Sequence, residues 1–507
     1  MRLPLGVFAA AFLSYAAALY PSFAPRDAAD LARAAASLGV AHAPGYPLYA
    51  LLGRLWLALP GLGGRDYRLN FLSAAAGALA CALLAAWGAR RGRWAGWTAG
   101  LTLAFCAPLW KFSLLEEMYS LQAAFAAALL LLAEGSPRTA LKRAALSGLL
   151  FGLGLVNHQS LLFLLPSLIW LWLAEVKQTG VQSKRIGGVF AIFAGIGLLA
   201  YAFVPIRFAN LSRGLSIIFR SEYGTLTLFA GFARPFAEAA PGLLRHWAAG
   251  MAAAGSPALL VAGLAGLWAL RREKKLGAAL LGVAVAGPGF FLLTRFDVST
   301  WVARSALEPA YLLSALWLCL SAGAAVGMLE RRSERAGAAT AGLLAAAALL
   351  VNAPLGGHRE DFSAYDYARS LRRTLPPGSV SAVRGDTALF SLALEAPDRR
   401  LAGAGDRPQF AAGLPLERAE AFGRPAEAGL AVRLDGAGAP WMWGLYALRP
   451  GAALERGESY ARDAAFSYAF ARHNAALLAE RRGADGTLDA LWAAAWDPED
   501  FGVRIER

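Results

Sequence analysis

The sequence predicts a polytopic α-helical membrane protein followed by a small α/β domain. Three observations lead there. The 507 residues are 57% hydrophobic, with a mean hydropathy of +0.45. Apolar runs long enough for spans recur through the first 353 residues, and a span needs about 20 apolar residues. Residues 354–507 then change character, with 19 Arg, no Lys and 21 Asp or Glu, a net charge of −2.

Eleven candidate spans lie near 3–21, 69–87, 94–110, 118–133, 144–157, 159–174, 187–205, 251–270, 276–294, 308–328 and 337–353. The first lacks a small-residue cleavage site after a short apolar core and is read as a signal anchor. Basic residues follow every second span: Arg90, Arg91 and Arg93, then Arg138, Lys142 and Arg143, then Lys177, Lys184 and Arg185, then Arg271, Arg272, Lys274 and Lys275, then Arg331, Arg332 and Arg335. Positive loops stay on the cytoplasmic side, so the amino terminus is expected inside and the carboxyl terminus outside, in a multi-pass protein of the cell inner membrane. The basic loops are expected to be solvated. They account for the high charge of the membrane part, which anionic lipid suffices to retain; no nucleic acid is implied.

The division is expected at 353/354, a membrane domain over 1–353 and an extracytoplasmic soluble domain over 354–507. In the latter, 360–375 and 459–482 have helical patterns, and Ser379–Val383 a strand pattern leading into a turn at Arg384-Gly385-Asp386. Residues 207–250 are expected as the longest loop between spans. Cys81, Cys106 and Cys319 all fall in spans, so the outer domain holds no disulfide.

On this topology the acids and histidines of the membrane part gather on the outer side. The first outer loop carries Asp27, Asp30 and His42, with Tyr46 beside them. The second carries Lys111, Glu116, Glu117 and Tyr119. The third is Asn157-His158-Gln159, the fourth begins with Arg207, and the fifth holds Arg295, Asp297, Arg304 and Glu308. Each has a plain structural use: helix-end acids, capping residues, an interfacial arginine or internal ion pairs. Ionisable groups at membrane depth are functional candidates, and their common side points to one outward site. The chemistry that suits them is group transfer from a lipid phosphate. A carboxylate takes the acceptor hydroxyl's proton, and cations hold the departing phosphate. No Walker loop, zinc spacing or His pair at i, i+4 occurs, so neither a bound metal nor a cofactor is expected.

These motifs resemble a family, the GT-C-like membrane glycosyltransferases that include the eukaryotic O-mannosyltransferase of plexin- and MET-type IPT domains. The family's Asp-x-Gly-Glu and His-Pro-Pro-Gly-x-Pro-Leu are similar to Asp27-Ala28-Ala29-Asp30 and His42-Ala43-Pro44-Gly45-Tyr46-Pro47-Leu48. Arg68-Leu69-Asn70-Phe71-Leu72-Ser73, Glu117-Met118-Tyr119-Ser120-Leu121, Gly152-Leu153 with Asn157-His158, and Pro205-Ile206-Arg207 resemble later motifs. Tyr365-Asp366-Tyr367-Ala368, Leu375-Pro376-Pro377-Gly378 and Gly385-Asp386-Thr387 resemble the segment after the membrane part in bacterial members. Here Asp30 stands for the family's Glu, Ala29 for its Gly and Ala43 for a Pro.

The resemblance implies transfer of a sugar from a polyprenyl-phosphate donor to a hydroxyl of a protein or glycan outside the cytoplasm. Asp27 and Asp30 are the expected catalytic pair, with Asp27 as base and Asp30 orienting the acceptor or a nearby Arg. His42, Tyr46, Glu117, Tyr119, Asn157, His158, Arg207 and Arg304 are expected to bind substrate. The outer domain is expected to recognise the acceptor. A lipid-glycan transporter and a catalytically silent scaffold are the competing readings. The topology has a direct test. A reporter that works only outside the cytoplasm, fused after Arg507, should be active; activity only of a cytoplasmic reporter would reverse the side on which the acids lie.

Overall fold

The structure is a computed structural model that describes residues 2–179, 183–221, 233–273, 275–403, 405–437, 443, 446, 448–449, 451, 454, 459–497 and 500. Lys274 and Arg507 lie outside the described residues, as does part of the 207–250 segment. Two compact units are present. The first comprises Met1–Leu19, Ala35–Gly61 and Arg68–Gly356, and the second Tyr20–Ala34, Leu62–Tyr67 and Gly357–Arg507. The expected membrane domain over 1–353 therefore loses two segments to the second unit, and one of them carries Asp27 and Asp30.

The first unit is helical, and the chain is a multi-pass α-helical membrane protein. All eleven expected spans fall on helical segments. Among the described residues five helices are long and apolar enough to cross a membrane: Arg65–Ala89, Lys184–Phe208, Leu276–Thr294, Trp301–Arg332 and Glu334–Gly356. The span expected at 251–270 is two helices instead, Phe236–Gly255 and Pro257–Arg272, bent by 104°. The break has a local cause. Ser256 adopts φ 124 and Pro257 opens the next helix, where its missing N–H is harmless. Ser256 also accepts from the amide of Leu259 at 3.2 Å. The long loop expected over 207–250 holds the Leu211–Ile218 and Phe236–Gly255 helices; Glu238, Pro241, Arg245 and His246 had masked the second of these. Pro288 sits in a π-helical turn, Val285–Gly289, within the Leu276–Thr294 span, a common way to absorb a proline.

Small residues set how closely these helices approach. A Cβ on Gly148 would stand 2.2 Å from the Phe190 carbonyl oxygen, and one on Gly152 2.2 Å from that of Ala194. The Ala140–Asn157 and Ser183–Leu198 helices therefore meet backbone to backbone, as small-residue seams allow. The basic loops are less solvated than expected. Arg91 is 5% exposed and pairs with Glu134 at 3.1 Å and Glu273 at 2.6 Å, while Lys275 reaches the same two acids at 3.0 and 3.1 Å. Partial burial makes a lone guanidinium costly, and the four charges answer one another.

The second unit is built on a five-stranded sheet. Its strands are β1 (Val380–Val383), β2 (Arg400–Leu401), β3 (Phe410–Ala412), β4 (Ala426–Ala428) and β5 (Ala431–Arg433). The order is β2-β1-β3-β5-β4, parallel at β1/β2 and β1/β3 and antiparallel at β3/β5 and β4/β5. The expected helices are found at Ser363–Thr374 and Ser459–Arg481, and the expected turn at 384–386 opens a further helix, Asp386–Glu395. Tyr367, Leu371, Leu375, Leu392, Phe410 and Tyr468 form the core. Asp366, 3% exposed, accepts from the Arg449 guanidinium at 2.9 and 2.7 Å.

The seam makes a stability prediction. Gly152→Val should cost about 1–3 kcal/mol through overpacking and lower the thermal unfolding midpoint in detergent. Gly187→Ala, on the same facing helix but with nothing within 4 Å of its added Cβ, should leave the midpoint unchanged.

Candidate functional site

In the second unit, Asp30 lies on a helix that Asp27 immediately precedes. The helix runs Ala28–Ser37, and the Asp27 carbonyl accepts from the amides of Asp30 and Leu31, both at 3.0 Å. Asp30 lies in the first turn, where the helix dipole favours an acid. It is 1% exposed and bound by Arg33 through Nη2 at 2.5 Å and Nε at 3.2 Å. Arg33 escaped notice in the sequence, although an Arg three residues after an acid on a helix is a recognisable pairing. Asp27 is half-buried.

In the first unit, separate motifs converge on Glu117 and Met118. The Ser73 hydroxyl lies 3.3 Å from both the amide and the carbonyl oxygen of Glu117. The Asn157 side-chain amide donates to the Met118 carbonyl at 3.0 Å, and the Asn157 side-chain oxygen, buried, has no hydrogen-bond partner among the described residues. Glu116 and Glu117 are 0% and 1% exposed. Tyr49 lies in their field: burial and then Glu116 hold its hydroxyl well above its ordinary pKa, so it stays a donor.

An aromatic group continues from there. His158 lies 5.1 Å from Tyr119 and 6.0 Å from Tyr46, ring centre to ring centre, with the Tyr46 ring nearly parallel to it. Tyr46 meets His42 at 5.0 Å, and Tyr119 meets Phe112 at 4.6 Å. The loop that delivers His42 and Tyr46 turns at Gly45, whose φ of +96 and close neighbours Val40 and Val204 leave no room for a side chain. His158 Nδ1 accepts from the Ser160 amide at 3.3 Å and stands 2.6 Å from the Ser160 hydroxyl, which in turn accepts from Gln122 at 2.6 Å. The span-end capping open to His158 is thus observed, and it leaves Nε2–H as the ring's donor. Dense surroundings, then the charges of Arg220 and His42, push the His158 pKa down to about 3.

Arg207 is exposed on the short Phe203–Phe208 helix and is not among the contacts of this group. Arg220 is the cation whose charge reaches His158; it follows no motif and gave no sequence signal. Arg304 donates to the carbonyls of Val298 and Ser299 at 3.2 and 3.0 Å. Lys111 and Glu308 pair at 2.5 Å. A separate cleft of about 500 Å³ is lined by Arg234, Glu238, Arg245, Asp297 and Ser299, among others, and by none of the His158 group. Among the described residues no three His, Cys, Asp or Glu side chains are grouped as metal ligands would be.

His158 makes a pH prediction. Its pKa is lower folded than unfolded, where about 6.5 is usual. Below that value the unfolded chain binds the extra proton, so the neutral ring's contribution is present above about pH 6.5 and is lost as pH falls toward 3. The thermal midpoint should drop more between pH 7 and pH 5 in the native protein than in His158→Gln. Equal drops would show that His158 does not titrate in this way.

Comparison with known proteins shows what the chain is similar to. Residues 27–181 match the family described as the protein O-mannosyl-transferase TMEM260 N-terminal domain. That stretch begins at Asp27, includes His158 and ends before Arg207. Protein O-mannosyl-transferase TMEM260 of Mus musculus is 31% identical over 252 residues, which are 45% of this chain and 35% of that protein. Its Dictyostelium discoideum counterpart is 26% identical over 256 residues, 44% of this chain and 31% of that protein. The chain thus spans about a third of the length of the curated relatives it matches. The crystal structure of ArnT from Cupriavidus metallidurans, bound to undecaprenyl phosphate, superposes with a TM-score of 0.55 at 14% identity, covering 79% of this chain and 86% of that one. Over residues 27–181 the chain is similar to the TMEM260 protein O-mannosyl-transferase N-terminal domain, and its fold is the GT-C fold of ArnT.

Proposed function

We propose that this chain is an integral-membrane glycosyltransferase that moves a sugar from a polyprenyl-phosphate donor to a hydroxyl of a protein or glycan, with inversion and without a metal or other cofactor. The observation that carries the reading is the grouping of the Tyr46, Tyr119 and His158 rings near buried Glu117 and Asn157, all within the stretch 27–181 that is similar to the O-mannosyl-transferase domain. In this reading Asp27 takes the acceptor proton. The acceptor oxygen attacks the anomeric carbon, the bond from that carbon to the phosphate oxygen breaks, and polyprenyl phosphate leaves. Asp30 holds Arg33 toward the acceptor. The Tyr46, Tyr119 and His158 rings, with His42, offer apolar faces and a neutral donor suited to a sugar. Glu117 and Asn157 supply polar groups at the edge of those rings. Arg207 and Arg304 remain substrate-binding cations in this reading, and Arg220, whose charge reaches His158, joins them as a cation for the phosphate.

The wider proposal keeps eleven spans, a cytoplasmic amino terminus in the cell inner membrane, and an extracytoplasmic C-terminal unit; the alternating basic clusters support that orientation. The relatives' names make mannose the first sugar to test. Removing a general base slows a reaction by about 10²–10⁴-fold. With polyprenyl-phosphate mannose as donor, Asp27→Asn should lose transfer on that scale and still insert and bind donor. Asp30→Glu should retain transfer. Full activity of Asp27→Asn would refute the assignment, and a dead Asp30→Asn beside an active Asp27→Asn would exchange the two roles.

A further inference from the structure

Arg26, immediately before Asp27, has φ 67, a left-handed conformation that a side chain with Cβ seldom takes. Such a residue persists where its surroundings determine it, and that is a reason to ask what it serves. The surroundings are specific. The Arg26 amide donates to the Thr387 hydroxyl at 2.9 Å. That hydroxyl donates to the Asp463 carboxylate, which stands 3.9 Å from the Arg26 guanidinium. The circuit therefore closes on the residue that opens it. The guanidinium also donates to the Ser459 carbonyl at 3.1 Å and lies over the Tyr460 ring at 4.6 Å. Its side chain is 15% exposed, so these contacts are little diluted by water.

These partners belong to the C-terminal part of the second unit. Thr387 is on the Asp386–Glu395 helix, and Ser459, Tyr460 and Asp463 are on Ser459–Arg481. The same part receives the rest of the segment: Tyr20 stacks on His358 at 4.3 Å, and Phe23 meets Tyr365 edge-on at 6.5 Å. Among these contacts Arg26 alone holds the backbone at the residue from which the chain turns into Asp27. We propose that Arg26 is a positioning residue for Asp27: the Thr387–Asp463–Ser459–Tyr460 setting fixes its left-handed backbone and thereby the place of the Asp27 carboxylate. The C-terminal part then serves the reaction as the mount of its base. This inference rests on the reading of Asp27 as the base.

The test uses the full chain in lipid nanodiscs and polyprenyl-phosphate mannose. Arg26→Gly accepts the left-handed backbone and removes only the side chain; Asp463→Asn keeps the volume and removes the charge. Both should speed hydrogen exchange at the amides of residues 27–31 while the Ser183–Leu198 helix stays protected. Both should lower kcat by about 10²-fold, the scale of a 1 Å misplacement, with the donor KM unchanged. Unchanged exchange at 27–31, or faster exchange with native kcat, overturns the proposal. Asp27→Asn run alongside separates the two claims. If it loses transfer and Arg26→Gly does not, the positioning role alone fails; if it transfers normally, the reading of Asp27 fails and takes the positioning role with it.

Discussion

A charge that leaves water must take a partner with it, because desolvation of an unpaired ion outweighs what packing returns. That constraint organises both units. Buried Asp30 is met by the partly exposed Arg33, buried Asp366 by the exposed Arg449, and buried Arg91 by Glu134 and Glu273, which Lys275 also reaches. Lys111 and Glu308 join residues 197 positions apart. Except for Asp30 and Arg33, which share one helix, these pairs join segments far apart in the chain. The Arg91 group shows the effect most directly, since a loop read as a solvated basic cluster becomes a fixed junction once its guanidinium is enclosed.

The second organising feature is the smallness of the residues between helices. Gly148 and Gly152 admit the carbonyls of the facing helix, and the helix that carries them ends where residues 159–164 begin their own turn. Asn157 and His158 sit at that junction. Asn157 donates to the Met118 carbonyl, and the His158 ring neighbours those of Tyr46 and Tyr119.

The acids of the first outer loop stand on different ground. Tyr20–Ala34 forms part of the compact unit that also contains residues 357–507, so the acid-bearing start of the first outer loop belongs to that unit, whereas residues 35–61 belong to the first. The acid-bearing turn and the C-terminal residues therefore share one folded body. This sharing also gives a physical account of two motif residues. Asp366 anchors Arg449, and Thr387 links the Arg26 amide to Asp463.

Much was legible in the sequence because it depends on neighbours along the chain. Apolar runs placed the helices, a change in composition marked residues 354–507, and the Asp27, His42, Glu117 and Asn157 motifs pointed to the relatives later matched. The features that escaped are those set by residues far apart. Asp27 lies outside its helix because the chain turns at Arg26, and Arg26 is held by residues more than 360 positions away. Arg220 reaches His158 without a motif. Ser256 divides an apolar run whose hydropathy carries no trace of a 104° bend. Hydropathy and local propensity act over one or two turns of chain, so they decide which segments become helices; ion pairing and close packing act across the fold, so only the tertiary structure decided which polar groups share a setting.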